Sequence, residues 1–472
     1  MAESIDSLIQ RTHDLESAGT IDKAFQVLAE TGQEFPDNGD VWAELSRFFA
    51  TYLDMDKAEE SAKVALNLQC SNSATASQSL AYAVDRMHEL GRYDLADLLG
   101  HLEKAYEKQK IPEVGATLCN VMRANNRIAE ACEISEQMLA LHPESRSTLI
   151  NAAKTAFTSG DHQTAYDLIM RGFAIDPLAT WWDMVSTFSN PLVAILRKTG
   201  KAQEMADYLD RQFSVTPLLN LVTPRCTPWH REHVSAIREE RIAMGLESCL
   251  FVTMVKSGSV SVSAILNSGF GLVSAAYSLI TEKVIPSWAR DFNRGGACYV
   301  THFEGNAENI AALKDAGITR AIVNVRDPRQ GALSYAHHIS RYETDQPQIW
   351  SADIHKKPLS ERVDYSLETY YRSILTWITE WTEAANEIDI TFTTFEEFRR
   401  DPDALTEKII NAYGGDRCHF NRDSAFSRNR NTDYHFRRGD IDEWREVFTP
   451  KQIEIANDLL PDSFVERFGW RR

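Results

Sequence analysis

Several things are missing from this chain, and each absence removes a class of protein. No run reaches the roughly 18 apolar residues that a bilayer-crossing helix needs, so no membrane span is expected. The start, Met1-Ala2-Glu3-Ser4-Ile5-Asp6, lacks the basic patch and long apolar core of a secretory leader. Cysteine is sparse: seven in 472 residues, an odd number with no Cys-x-x-Cys pair. That argues against a disulfide framework and a zinc site and fits a reducing, cytoplasmic setting. No clustered His/Asp/Glu ligand set demands a metal, so none is expected. Positive charge is the minority, 50 Lys and Arg against 68 Asp and Glu, a net of −18. Nucleic acid and anionic membranes are poor partners for such a surface. The G-x-x-x-x-G-K-[ST] loop is absent too, which counts against a nucleotide kinase.

What remains is a foldable chain in more than one part. Hydrophobic residues make up 43% and aromatics 10%, enough for ordinary cores, and the length suits two or three domains. Residues 1–214 read as successive amphipathic helices with a repeat. Ala24 and Pro36, Ala131 and Pro143, and Ala165 and Pro177 are each 12 apart. Ala24 to Ala58, Ala131 to Ala165 and Pro143 to Pro177 are each 34 apart. With Trp42, Leu45, Phe49, Ala58 and Ala65 at their spacing, this part resembles a tetratricopeptide array. Residues 76–110 form a less regular unit and 181–214 a divergent cap. Such arrays present a concave face to a protein partner or a neighbouring domain. Pro217, Pro224 and Pro228 mark residues 215–245 as a connector, and strand–helix alternation begins only after it.

Within residues 246–472 three segments share one design. Leu250 to Val255 is a short apolar strand that stops at Lys256-Ser257-Gly258-Ser259, before a helical stretch to Asn267. A strand, a small-residue turn and a helix start make an anion site, because unpaired backbone N–H groups and the helix dipole face outward. Gly258 permits close approach, Ser259 adds a hydroxyl, and Lys256 a full charge. Ile322 to Val325 is a second strand, ending at Arg326, with Pro328 suited to a helix first turn and Ser334 two turns in. The third segment sets Arg437, Arg438 and Gly439 before an amphipathic stretch with Trp444, Phe448 and Thr449. Lys256, Arg326, Arg329, Arg437 and Arg438 could together build a locally basic pocket in an acidic protein. Three such turns suggest one ligand with phosphates at both ends.

In these residues the chain resembles the sulfotransferases that use 3′-phosphoadenosine-5′-phosphosulfate (PAPS). Lys256-Ser257-Gly258-Ser259 resembles the family's 5′-phosphosulfate loop, and Arg326 with Ser334, eight apart, its 3′-phosphate motif. Arg437-Arg438-Gly439 with Trp444 and Phe448-Thr449 resembles its C-terminal element. Tyr299-Val300-Thr301-His302 lies where the family has its Lys-Thr-His segment. The order of all four agrees. Departures are Ser259 and Val260 for two threonines, Ser261 for the adenine-stacking tryptophan, Val300 for a lysine, and Asp442 and Glu443 in the C-terminal element.

The resemblance implies a three-layer α/β domain around a parallel sheet, a P-loop-NTPase-like sulfotransferase fold, following the all-α repeat. It implies transfer of a sulfuryl group from PAPS, which leaves as adenosine 3′,5′-bisphosphate, to a hydroxyl or amine. Carbohydrate, lipid-linked and small-molecule acceptors and protein tyrosine all stay open. Lys256, Ser257, Gly258, Ser259, Val260 and Ser261 would line the 5′ end; Arg326, Ser334, Arg437, Arg438 and Gly439 would hold the 3′-phosphate. His302 is the candidate general base, with Glu304 its rival, and Lys256 the electrostatic catalyst. The alternative is a repeat-based interaction module whose transferase domain has decayed. The aromatics Tyr365, Tyr370, Tyr371, Trp377 and Trp381 lie at mixed helical spacing and read as part of a helix packed over the sheet rather than as an aromatic substrate clamp.

Overall fold

The computed structural model describes residues 4–52, 54–68, 79–83, 96–175, 191–213, 228–275, 283–341, 354–426 and 438–472. They fall into two compact units, the first chiefly Met1–Gly200 and the second chiefly Arg231–Arg341 and Ile349–Arg472 together with Lys201–Thr223.

The described residues of the first unit form helices and the turns between them. Helix pairs follow one another: Ile5–Ser17 with Ile21–Glu34, Gly39–Thr51 with Met55–Asn67, Pro112–Ala124 with Ile128–Leu141, and Arg146–Ser159 with His162–Ile175. The spaced alanines explain the close packing: Ala24, Ala58, Ala65, Ala131 and Ala165 are all completely buried. A larger side chain at any of them would push two helices apart. One kind of contact joins the two helices within a pair. Ser46 donates to the Ala58 carbonyl at 2.8 Å, and the Cys119 thiol reaches the Ala131 carbonyl at 3.6 Å. Both contacts span 12 residues and end on one of the completely buried alanines.

The second unit is built on a five-stranded parallel sheet of order β2-β3-β1-β4-β5. The strands are β1 (Cys249–Thr253), β2 (Val273–Ala275), β3 (Ala297–Thr301), β4 (Arg320–Val325) and β5 (Asp389–Thr394). β1 is buried along its whole length and β4 at all but its first residue, as expected for parallel strands covered on both faces. Alternation divides the side chains between two layers. Phe251, Cys249, Cys298 and Ile322 pack with Val262, Ile265, Leu405 and Ile409 from helices Ser259–Asn267 and Pro402–Tyr413. Tyr299, on the opposite face, meets Trp288 and Phe292 of helix Pro286–Phe292. Helix, sheet and helix thus make three layers.

Two helices extend this unit towards the N-terminus. Asp210 of helix Ala202–Phe213 accepts from the Ser287 N–H at 2.8 Å. Helix Pro228–Ala243 occupies much of the segment read as a connector, and Pro228 is its first residue, where a missing N–H costs nothing. Its buried Arg238 donates to Asp291 at 3.0 Å and to the Gly295 carbonyl at 2.9 Å. No helix among the described residues is long and apolar enough to cross a membrane.

The strand order reverses across β1, so the loops after β1, β3 and β4 border one crevice at the carboxyl edge of the sheet. Register brings them level: Val252 pairs with Thr301, and Thr253 with Asn324. Lys256, His302 and Arg326 therefore leave the sheet beside one another.

Candidate active site

The turn after β1 has a strained shape. Lys256 takes φ +67° and Gly258 φ +74°, both left-handed, and Lys256 does so despite its Cβ. Gly258 is needed twice over, since a Cβ there would lie 2.7 Å from the Phe395 ring. Side chains from neighbouring elements hold the turn. Asn324 of β4 donates to the Ser257 carbonyl at 3.1 Å and hydroxyl at 3.0 Å, and itself accepts from Thr393 of β5 at 3.0 Å. Ser257 is completely buried, and its N–H goes to the Met254 carbonyl at 3.1 Å. Its polar groups thus shape the loop from beneath. The N–H groups of Gly258, Ser259 and Val260 stand at the start of helix Ser259–Asn267, beyond the reach of its internal ladder. Val260 and Ser261 are exposed on the first turn.

Arg326 joins the motifs. Its guanidinium donates to the Lys256 carbonyl at 3.0 Å and the Asp440 carbonyl at 2.8 Å, and lies 4.2 Å over the Phe395 ring. The first, second and third cationic segments of the sequence meet at this one side chain. Gly439, beside Asp440, takes φ +73°. Arg438 is exposed and pairs with Glu443 at a long 3.6 Å. Gln330 accepts from the Trp444 N–H at 3.1 Å, fixing the segment that follows. Ser334 is half-buried on helix Pro328–Arg341. Arg437 lies outside the described residues. Arg329 is no pocket cation: it is completely buried, bound to Asp327 at 2.9 and 2.7 Å, and stacked on Trp444.

His302 follows β3 and leans on β1. Its Nδ1 lies 2.5 Å from the Thr253 carbonyl and 3.0 Å from the Thr253 hydroxyl. A carbonyl can only accept, so Nδ1 carries the proton and Nε2 keeps the basic lone pair. Burial pushes the pKa below the ordinary 6.5 and the Lys256 charge acts the same way, opposed by the Thr253 bond. The imidazole is therefore neutral at pH 7. Trp377 donates to the His302 and Phe303 carbonyls at 3.0 and 2.8 Å, and Trp381 to the Phe303 carbonyl at 3.0 Å. Glu304 accepts from Asn306 at 3.3 Å and is half-buried.

Glu396, the second residue of helix Phe395–Arg400, is buried beside Asp327 and Trp470. Burial and the neighbouring Asp327 charge raise its pKa to about 7, although the Asp327 N–H donates to it at 3.1 Å. A raised carboxyl pKa stabilises the fold below the unfolded value near 4.5, and that contribution is lost as pH rises through 7. Glu396→Gln removes the titration. Urea unfolding of the second unit should show the variant gaining about 2 kcal/mol on the wild type between pH 5 and pH 8. A difference that does not change with pH would contradict the buried carboxyl's assignment.

Thr253, Trp377 and Asn324 have no signature in the sequence that marks them for the site. Their roles come from hydrogen bonds to backbone. The arrangement is an open parallel α/β domain whose crevice sets a glycine-containing helix-start turn beside a neutral, oriented histidine. Residues 246–463 match the family model described as a sulfotransferase domain, and this half of the chain is a sulfotransferase-family domain. Among solved structures, that of mouse sulfotransferase SULT7A1 complexed with PAP matches at 18% identity. The match covers 49% of this chain and 90% of that one, with a TM-score of 0.35. A comparison with curated proteins returned no match.

Proposed function

We propose that the chain is an active PAPS-dependent sulfotransferase, with a tetratricopeptide-like repeat that aids recognition of the acceptor or a protein partner. The observation that carries this reading is His302, held as the Nδ1–H tautomer beside the Lys256 turn. A decayed site has no reason to keep a neutral, oriented base next to a cationic anion loop.

The residues fit the nucleotide. The N–H groups of residues 258–260, the Ser259 hydroxyl and Lys256 receive the 5′-phosphosulfate; Arg326, Ser334, Arg437, Arg438 and Gly439 receive the 3′-phosphate. PAPS supplies a sulfuryl group on a phosphate leaving group. His302 Nε2 takes the acceptor proton as the acceptor oxygen bonds to sulfur. The sulfur–oxygen bond to the phosphate breaks, and Lys256 stabilises the charge that collects on the departing oxygen. Products are the sulfated acceptor and adenosine 3′,5′-bisphosphate, with one proton on His302.

The test is transfer of radiolabelled sulfate from PAPS to a panel of sugars, phenols, lipid-linked sugars, amines and tyrosine peptides. Label on one acceptor class, lost with His302→Ala, is the expected result. Tight bisphosphate binding with no label on any class would favour the interaction-module alternative.

A further inference from the structure

Three consecutive carbonyls of the turn after β1 are held by three side chains, two from β4 and the residue that follows it and one from a distant helical turn. Asn324 holds that of Ser257 and Arg326 that of Lys256. The third, Val255, accepts from the Tyr370 hydroxyl at 2.5 Å. We propose that Tyr370 is a positioning residue for the nucleotide's 5′ end, setting the backbone plane from which the left-handed turn at Lys256 starts. This rests on reading that turn as the 5′-phosphosulfate site.

The physical argument is peptide geometry. In a planar trans peptide the C=O of one residue and the N–H of the next point in opposite directions. Holding the Val255 carbonyl therefore fixes the Lys256 N–H and the plane on the N-terminal side of its φ, which stands at +67°. A lysine relaxes readily from that region to negative φ unless its surroundings prevent it. Tyr370 is the restraint on that side of the residue, as Arg326 is on the other.

Its own placement is constrained from several directions. It lies in a π-helical turn, Leu367–Tyr371, between helices Leu359–Ser366 and Arg372–Ala384. Such a turn inserts one residue into a helix and is frequent at functional sites. Around it Ser366 donates to the Ala332 carbonyl at 2.8 Å, and Tyr371 to the Ala456 carbonyl at 2.7 Å. The Tyr370 ring stacks on Tyr335, next to Ser334, with centroids 4.8 Å apart and planes within 11°. Gly331 leaves its path open, because a Cβ there would lie 2.9 Å from the hydroxyl oxygen. Burial raises the phenol pKa, so the group remains a donor across the physiological range.

The test compares two nucleotides, adenosine 3′,5′-bisphosphate and adenosine 3′-monophosphate, which differ only at the 5′ end. Their affinity ratio reports the grip of the turn. Tyr370→Phe keeps the ring and its stacking and removes only the donor. The ratio should fall about tenfold, as for a buried carbonyl left without its hydrogen bond, while monophosphate affinity is unchanged. Gly331→Ala, which displaces the intact hydroxyl, should move the ratio the same way. An unchanged ratio in both variants, or equal weakening of both nucleotides, overturns the positioning role. A wild-type chain that binds the two nucleotides equally overturns the reading of the turn itself, and the role of Tyr370 with it.

Discussion

His302→Ala is expected to lower turnover by about 10²-fold or more while leaving affinity for adenosine 3′,5′-bisphosphate nearly intact. In the proposed reaction the ring meets the acceptor proton and not the nucleotide, so its loss should fall on the chemical step. Its tautomer is set by the Thr253 carbonyl, and burial holds its pKa below 6.5. For a base, a lowered pKa means the active form persists as pH falls. Wild-type kcat/KM should be flat from pH 7 to pH 8 and decline only on the acidic side of 6.5. Near-normal turnover in His302→Ala, together with its loss in Glu304→Gln, would transfer the role to the glutamate.

Lys256→Ala should act on both quantities. Removing a charge from the position where negative charge develops typically costs about 10²–10³ in turnover. In the proposed site the same ammonium faces the phosphosulfate before reaction, so bisphosphate affinity should fall as well. Steady-state rates and calorimetric affinities measured on one preparation separate the two variants. Loss of turnover with full retention of binding in Lys256→Ala would remove the lysine from the ground-state site.

The anion turn could be seen in the sequence because its causes are local. A short apolar strand, a glycine, a lysine and a helix start are neighbours in the chain, and the structure forms them as strand, turn and helix. The alternation of strand and helix likewise gave the parallel sheet, since strands covered on both faces read as unbroken apolar runs. Arg329 shows the limit. It stands three residues after Arg326 with the same charge, yet it is buried against Asp327 and Trp444 while Arg326 meets the turn. Side-chain direction at a helix start decides between them, and composition does not record it.

Tyr370 and Trp377 were legible as packing residues on a helix, and both are buried. Which carbonyls their polar atoms reach depends on contacts 115 and 75 residues away, to Val255 and His302. The π-helical turn that aims Tyr370 breaks the 3.6-residue period of the helices on either side of it. Pro228 reads two ways in the sequence. Proline marks linkers, but it also suits a helix first residue, and only the packing of Arg238 on Asp291 distinguishes the two.

The most direct measurement is a calorimetric titration of the whole chain with adenosine 3′,5′-bisphosphate and with adenosine 5′-monophosphate. A site that holds both ends of the nucleotide should favour the bisphosphate by at least about tenfold, since each charge-assisted contact to the added phosphate contributes about 1.5–3 kcal/mol. Equal affinity for the two would contradict the assignment of Arg326, Ser334 and Arg438, and with it the PAPS-dependent reading of the site.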